Sequence, residues 1–141
     1  MTPTEVLAHL DAGELWAPDA AASIPDDVAA AYQTALAVRA LRITRGEHPR
    51  GFKIGFTNRG IWDRYQVFAP IWGTVWDTTL VAPDSPVDLL PTCQPRIEPE
   101  LVFGFSATPA AACDLAGLFD ALAWMAPGFE IVQSHGAGWR F

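Results

Sequence analysis

The segment from Arg96 to Phe105 limits the possible folds most, because apolar side chains recur on alternate positions and two glutamates fall between them. Successive residues of a β-strand point to opposite faces of the sheet. The pattern therefore predicts a strand with Ile97 and Leu101 on one face and with Glu98 and Glu100 together on the other.

The two glutamates of this strand need an explanation, because their Cα atoms would lie about 6.6 Å apart. Ionised carboxylates at that separation repel by about 2.5 kcal/mol at an effective dielectric constant of 20. Water relieves the repulsion on an exposed face, whereas a shared proton or a cation relieves it in a buried one. A solvated polar face is the simplest interpretation.

Two further features favour a binding site. Pro99 lies between the two acids, and a proline inside a strand marks an edge or a bulge, which often re-aims side chains next to active sites. Glu130 lies in a second short apolar segment, Gly128 to Val132. Three carboxylates that converge in a pocket would suit Mg²⁺ or Mn²⁺, since these ions prefer hard oxygen ligands.

An earlier segment, Arg50 to Thr57, also alternates and predicts a half-buried strand with Phe52 and Ile54 on one face. Lys53 would lie on the other face. It is either a surface lysine whose stem covers apolar neighbours or a cation that meets a substrate carboxylate and assists proton transfer.

The remaining elements follow from caps, breakers and periodicity. Thr2, Pro3 and Gly13 bound a first helix, and Pro25-Asp26-Asp27 starts a second. That second helix carries an apolar stripe of Val28, Tyr32, Leu36 and Ile43 and stops before Gly46 and Pro49. Further predictions are a loop at Leu15–Ser23, a helix or loop at Asn58–Phe68, a strand with turns at Pro70–Leu80, a linker at Pro83–Pro91, a helix at Leu115–Met125 capped by Asp114, and a strand at Phe129–Gln133.

Composition excludes several classes of function. The net charge of −7 argues against nucleic-acid and anionic-membrane partners, because phosphate binding needs a basic surface. Cys93 and Cys113 are too few and too scattered for a zinc site and fit a cytoplasmic protein with reduced thiols. Residues 1–12 do not form a signal peptide, and no apolar run reaches the roughly 18 residues of a membrane span.

Three motifs, in order, resemble those of the 2-keto-4-pentenoate hydratases of the fumarylacetoacetate hydrolase superfamily. Gly51 to Thr57 is similar to their G-x-K-I-G-x-T strand, and Pro95 to Leu101 to their P-R-[VI]-E-x-E segment. Phe129 to Ser134 is similar to their L-E-I-V-D-S strand, and Ala31 to Gln33 loosely to their A-Y-x-x-Q region.

The resemblance implies that Glu98, Glu100 and Glu130 hold Mg²⁺ or Mn²⁺ and that Lys53 is a catalytic residue in the substrate pocket. It also implies an α+β fold, with N-terminal helices packed outside a mixed β-barrel or β-roll, often in homo-oligomers. On this basis, residues 1–49 are predicted to form an N-terminal helical region. Residues 50–141 are predicted to form the first part of the catalytic β-roll domain.

The chain departs from the family at three points. Ile71 replaces an acid that commonly precedes Phe-Gly, and Gln133-Ser134-His135 replaces Asp-Ser-Arg, both near the expected substrate site. The chain also lacks the second half of the family's members, whose strands normally close the barrel. We therefore expect the N-terminal half of such a protein, with an incomplete barrel.

The expected function is that of a metal-dependent lyase that adds water to a 2-keto acid, such as 2-keto-4-pentenoate, in the catabolism of aromatic compounds. The alternatives are a decarboxylase or C–C bond hydrolase of the same superfamily, and an inactive fragment or interaction module. Lys53 is the preferred proton-transfer group. An acid–base pair of Glu47 with His48 is an alternative, although loop residues are the simpler interpretation, and His135 is another.

Overall fold

A capping box starts the first helix, α1 (Pro3–Ala12), as the sequence predicts. The Thr2 hydroxyl accepts a hydrogen bond from the backbone N–H of Glu5, and the Glu5 carboxylate accepts one from the backbone N–H of Thr2 at 2.7 Å. Gly13 ends the helix with φ of 63°, a left-handed conformation that costs glycine little.

The computed structural model describes residues 1–21, 27–90 and 92–139, so Pro25 and Asp26 of the predicted helix start lie outside the described residues. Asp27 caps α3 (Val28–Thr44), and its carboxylate accepts hydrogen bonds from two backbone N–H groups of the first turn. A short helix, α2 (Pro18–Ala21), interrupts the segment predicted to be a loop.

The buried residue of α3 does not belong to the predicted apolar stripe. Val38 is buried and α1 packs against α3, whereas Val28, Leu36 and Ile43 are more than two-fifths exposed. The helical spacing of the stripe is real, but Tyr32 and Leu36 line an open cleft instead of a closed core.

Strands β1 (Pro49–Gly55) and β2 (Ile71–Trp76) pair antiparallel, with Lys53 opposite Gly73. A 3₁₀ turn, Arg59–Ile61, and the short helix α4 (Trp62–Tyr65) connect them. The prediction that β1 is half-buried is wrong, since its two large apolar side chains are about 65% exposed. A two-stranded sheet buries such a face only when a second layer covers it.

The last strands form a separate antiparallel pair, β3 (Arg96–Phe105) with β4 (Leu122–Val132). The predicted bounds of β3 are confirmed. Between them, α5 (Leu115–Asp120) is capped by Asp114 as predicted. The helix prediction is wrong beyond Asp120, because the following residues begin β4.

Of the two alternatives for Pro99, an edge or a bulge, the bulge is not formed. The register shifts between Gly104 and Phe105, and Pro99 lies in an even ladder opposite Phe129. The alternative prediction, an edge position, fits the structure because β3 pairs with one strand among the described residues. A proline on an edge strand removes no ladder hydrogen bond when its nitrogen faces away from the partner strand.

The chain divides into two compact units. The first unit comprises Met1–Gln94 and Ser134–Phe141, and the second comprises Pro95–Gln133. The predicted α+β class is confirmed, and the described strands form no closed barrel. The predicted domain division after residue 49 stays a prediction. Over the described ranges, no helix is long and apolar enough to cross a membrane.

Candidate metal centre

The pairing of β3 with β4 brings the predicted acids together. Glu98 lies directly opposite Glu130 in the ladder, and directly opposite residues of an antiparallel pair share one face of the sheet. Glu100, two residues along β3, shares the same face. Three acids from two strands therefore converge on one side of the second unit.

The carboxylates are close enough to share a ligand. One oxygen from each of Glu98, Glu100 and Glu130 lies within 4.8 Å of the other two. Glu98 is exposed, whereas Glu100 and Glu130 are half-buried. No other group of three His, Cys, Asp or Glu side chains meets this distance within the described part of the chain.

The residue opposite Glu100 is a glycine that packs closely against its neighbour. Gly128 lies directly opposite Glu100, so no side chain projects from that ladder position. A Cβ atom at Gly128 would approach Cγ2 of Val102 to 2.7 Å, closer than real Cβ atoms come. An alanine here would require a displacement of Val102, because the Val102 methyl group already occupies the space that the Cβ atom would take.

The electrostatics of the group favour a bound cation. Carboxylates 4.8 Å apart repel by about 1 kcal/mol per pair in bulk water and by about 3.5 kcal/mol at an effective dielectric constant of 20. An all-oxygen, all-anionic donor set is the type that Mg²⁺, Mn²⁺ and Ca²⁺ prefer. The three residues therefore fit a hard divalent cation by donor chemistry and by spacing.

Lys53 lies in the first unit, on the exposed surface of β1. The aliphatic stem of Lys53 passes over Gly73, its partner in β2. A Cβ atom added at Gly73 would lie 3.0 Å from the Cε atom of Lys53. Glycine at position 73 therefore lets the lysine stem lie flat across the sheet. The role of Lys53 in catalysis stays a prediction.

Solved structures share this fold. One of them is a 4-oxalocrotonate decarboxylase from Pseudomonas putida G7 complexed with magnesium and adipate, which superposes on this chain with a TM-score of 0.82 and 22% sequence identity. The superposition covers 100% of this chain and 57% of the decarboxylase chain. A second structure of that enzyme, complexed with calcium and acetate, gives a TM-score of 0.78 and 22% identity over 95% of this chain and 52% of the other.

Two curated sequences are also similar, although no protein-family model matches the chain. A 4-oxalocrotonate decarboxylase from Pseudomonas sp. is 29% identical over 100 residues, which are 71% of this chain and 39% of the relative. A 2-hydroxyhexa-2,4-dienoate hydratase from Comamonas testosteroni is 32% identical over 119 residues, which are 78% of this chain and 43% of the relative.

These similarities agree with the resemblance of the chain to the fumarylacetoacetate hydrolase superfamily. The chain spans about two-fifths of the length of these curated relatives and just over half of the solved chains. This partial coverage fits the prediction that the chain corresponds to one half of a superfamily member.

The departures from the superfamily's motifs have defined surroundings. Ile71 is the first residue of β2, lies opposite Gly55 and is 39% exposed. His135 is buried, stacks on Trp16 and lies 2.6 Å from the backbone oxygen of Glu14 through its Nδ1 atom. These contacts give His135 a packing role within the first unit.

The proposed acid–base pair of Glu47 with His48 is not formed. Glu47 is buried and accepts hydrogen bonds from Arg42, Arg45 and Thr78, whereas His48 pairs with Asp77 at 3.0 Å. Burial by itself raises the pKa of Glu47, but the three hydrogen bonds outweigh it and lower that pKa to about 2. Glu47 is therefore a structural anion, and this alternative for the proton-transfer group is wrong.

Proposed function

We propose that this chain carries the divalent-cation site of a metal-dependent enzyme that acts on 2-keto acids, with Glu98, Glu100 and Glu130 as ligands. The convergence of the three carboxylates on one sheet face carries the proposal. The magnesium and calcium complexes of the structural neighbour support a divalent cation, and the carboxylate donors suit Mg²⁺ or Mn²⁺.

The residues of the chain have separate tasks in this proposal. A divalent cation, when bound, would polarise the keto group of a substrate and stabilise negative charge that develops on its oxygen. The three glutamates would fix its position. Lys53 would donate or accept a proton, or would pair with a substrate carboxylate.

Hydration of a 2-hydroxydienoic acid is the preferred reaction, and decarboxylation is the second candidate. The hydratase and decarboxylase names of the curated relatives favour these two, at 32% and 29% identity. A C–C bond hydrolase, an inactive fragment and an interaction module are further alternatives. The homo-oligomer and the cytoplasmic location stay predictions.

A substrate panel tests the reaction. The full chain, with millimolar Mg²⁺, is incubated with 2-hydroxyhexa-2,4-dienoate, 4-oxalocrotonate and acetylpyruvate, and products are identified by NMR. We expect hydration of the dienoate and its loss in excess EDTA. Release of CO₂ from 4-oxalocrotonate alone would select the decarboxylase. Mg²⁺-independent turnover, or no turnover of any compound by a chain that binds Mg²⁺, would contradict the proposed enzyme.

Lys53→Met is expected to lower kcat/KM for the active substrate at least about 100-fold, because general acid–base groups typically contribute that much or more. Mg²⁺ affinity, measured by calorimetry, should stay within about twofold. Arg50→Met is the matched control, since it removes an exposed cation from the same strand. An equal loss in both variants, or a loss of Mg²⁺ affinity in Lys53→Met, would show that Lys53 has no catalytic role.

A further inference from the structure

An open cleft of about 100 Å³ lies between α3 and β2 within the first unit. The helix contributes Tyr32, Leu36 and Arg39 to its lining, and the strand contributes Trp72 and Trp76. Among the described residues, two arginines and no acidic residue line the cleft, although the chain as a whole carries a net charge of −7. Since Glu47 neutralises Arg42, the cationic character of the cleft comes from Arg39.

Helical spacing explains how a cation comes to face the strand. Tyr32, Leu36 and Arg39 follow one another at four and three residues, so they lie on one face of α3. The Tyr32 ring stacks on Trp72 with centroids 5.1 Å apart, and its hydroxyl accepts a hydrogen bond from the Trp72 backbone N–H at 2.8 Å. These contacts fix one wall of the cleft.

The two arginines of the cleft differ in their partners. The Arg42 guanidinium donates to the Glu47 carboxylate and lies 4.5 Å from the centre of the Trp76 ring. The Nε atom of Arg39 is buried and has no hydrogen-bond partner among the described residues. Because Arg42 is already paired with Glu47, Arg39 is the group in this cleft that would gain more from an external anion.

We propose that the cleft binds a small planar carboxylate, with Arg39 as its anchor. The planar fork of an arginine side chain matches the two oxygens of a carboxylate. Trp72 and Trp76 offer aromatic surface to a short apolar chain. The cleft is small, at about 100 Å³, so a short-chain acid suits it better than a larger ligand. This site uses none of the residues assigned to the cation.

Propionate is the probe for this site. The full chain is titrated in excess EDTA at constant ionic strength, with sodium propionate replacing sodium chloride. Two-dimensional NMR follows the Arg39 Nε–H and the indole N–H groups of Trp72 and Trp76. We expect saturable shifts centred on these three groups. Arg39→Met should weaken propionate binding at least tenfold, and Arg50→Met, which removes an exposed arginine outside the cleft, should leave it unchanged.

Three results would overturn the proposal. The first is an unchanged affinity of Arg39→Met for propionate, and the second is that chloride causes NMR shifts equal to those caused by propionate. The third is that sulfate binds as tightly as propionate, since a tetrahedral anion does not need a planar fork. Arg39→Lys keeps the charge but loses the fork and should bind propionate at least threefold more weakly. If Arg39→Met fails to fold, the lysine variant decides the test, and wild-type affinity in it would exclude Arg39 as the anchor.

Discussion

Replacing Glu98 with glutamine is expected to abolish the stabilisation of this chain by Mg²⁺. A ligand that binds only the native state adds about 2.7 kcal/mol at one hundred times its Kd. For a chain of this size, that gain corresponds to a rise in Tm of about 10 °C. The variant keeps the shape of the side chain but removes one of three anionic ligands. Thermal melts at increasing Mg²⁺, followed by circular dichroism, measure the effect.

The same variant is expected to be more stable than wild type when metal is absent. The Glu98 carboxylate lies within 4.8 Å of an oxygen of Glu100 and of Glu130, so its neutralisation relieves mutual repulsion. Because Glu98 is exposed, the gain in free energy of unfolding is about 1 kcal/mol and falls as salt is added. The order of stability between wild type and Glu98→Gln should therefore reverse between EDTA and saturating Mg²⁺.

Glu14→Gln is the matched control for this experiment, because it removes an exposed glutamate outside the carboxylate group. It should keep the wild-type response to Mg²⁺. Glu100→Gln should behave like Glu98→Gln. A full Mg²⁺-dependent rise in Tm in either of these two variants would refute the ligand assignment, whatever the activity of the chain.

Glu47→Gln is expected to destabilise the native state at pH 7 by an amount on the order of 3 kcal/mol. Glu47 is buried and joins the end of α3 to the segment after β2 through Arg42, Arg45 and Thr78. Its pKa is lowered from 4.5 to about 2, and each pKa unit corresponds to about 1.4 kcal/mol. Chemical denaturation at pH 7 measures the difference in free energy of unfolding.

The sign of the pH dependence follows from the lowered pKa. The carboxylate contributes its full stability above the unfolded-state pKa of 4.5, and this contribution falls as the pH drops toward about 2. The difference between wild type and Glu47→Gln should therefore shrink between pH 5 and pH 2. A difference that stays constant over this range would contradict the proposed role of the charge.

Asp11→Asn provides the control for Glu47, because Asp11 pairs with the same Arg45 at 2.6 Å but its side chain is 52% exposed. Exposed pairs contribute little, so this variant should lose at most about 1 kcal/mol. A loss equal to that of Glu47→Gln would mean that burial does not explain the effect.

Local patterns predicted many of the elements because their causes are local. The Thr2 cap, the Gly13 terminus and the bounds of β3 depend on residues next to one another in the chain. The segment at 115–125 was predicted as one helix, yet its second half forms the start of β4. A short apolar run suits a helix or a strand equally, and pairing with β3 decides between them.

The sequence by itself determined that Glu98 and Glu100 share a face of a strand, because a period of two is a property of the strand alone. Only the tertiary structure decided that Glu130 lies opposite Glu98, since the register of two strands far apart in the chain depends on their pairing. It likewise decided that Glu47 is buried among cations and that Arg39 borders a cleft. Contacts between distant segments set burial, and the order of residues along the chain does not encode those contacts directly.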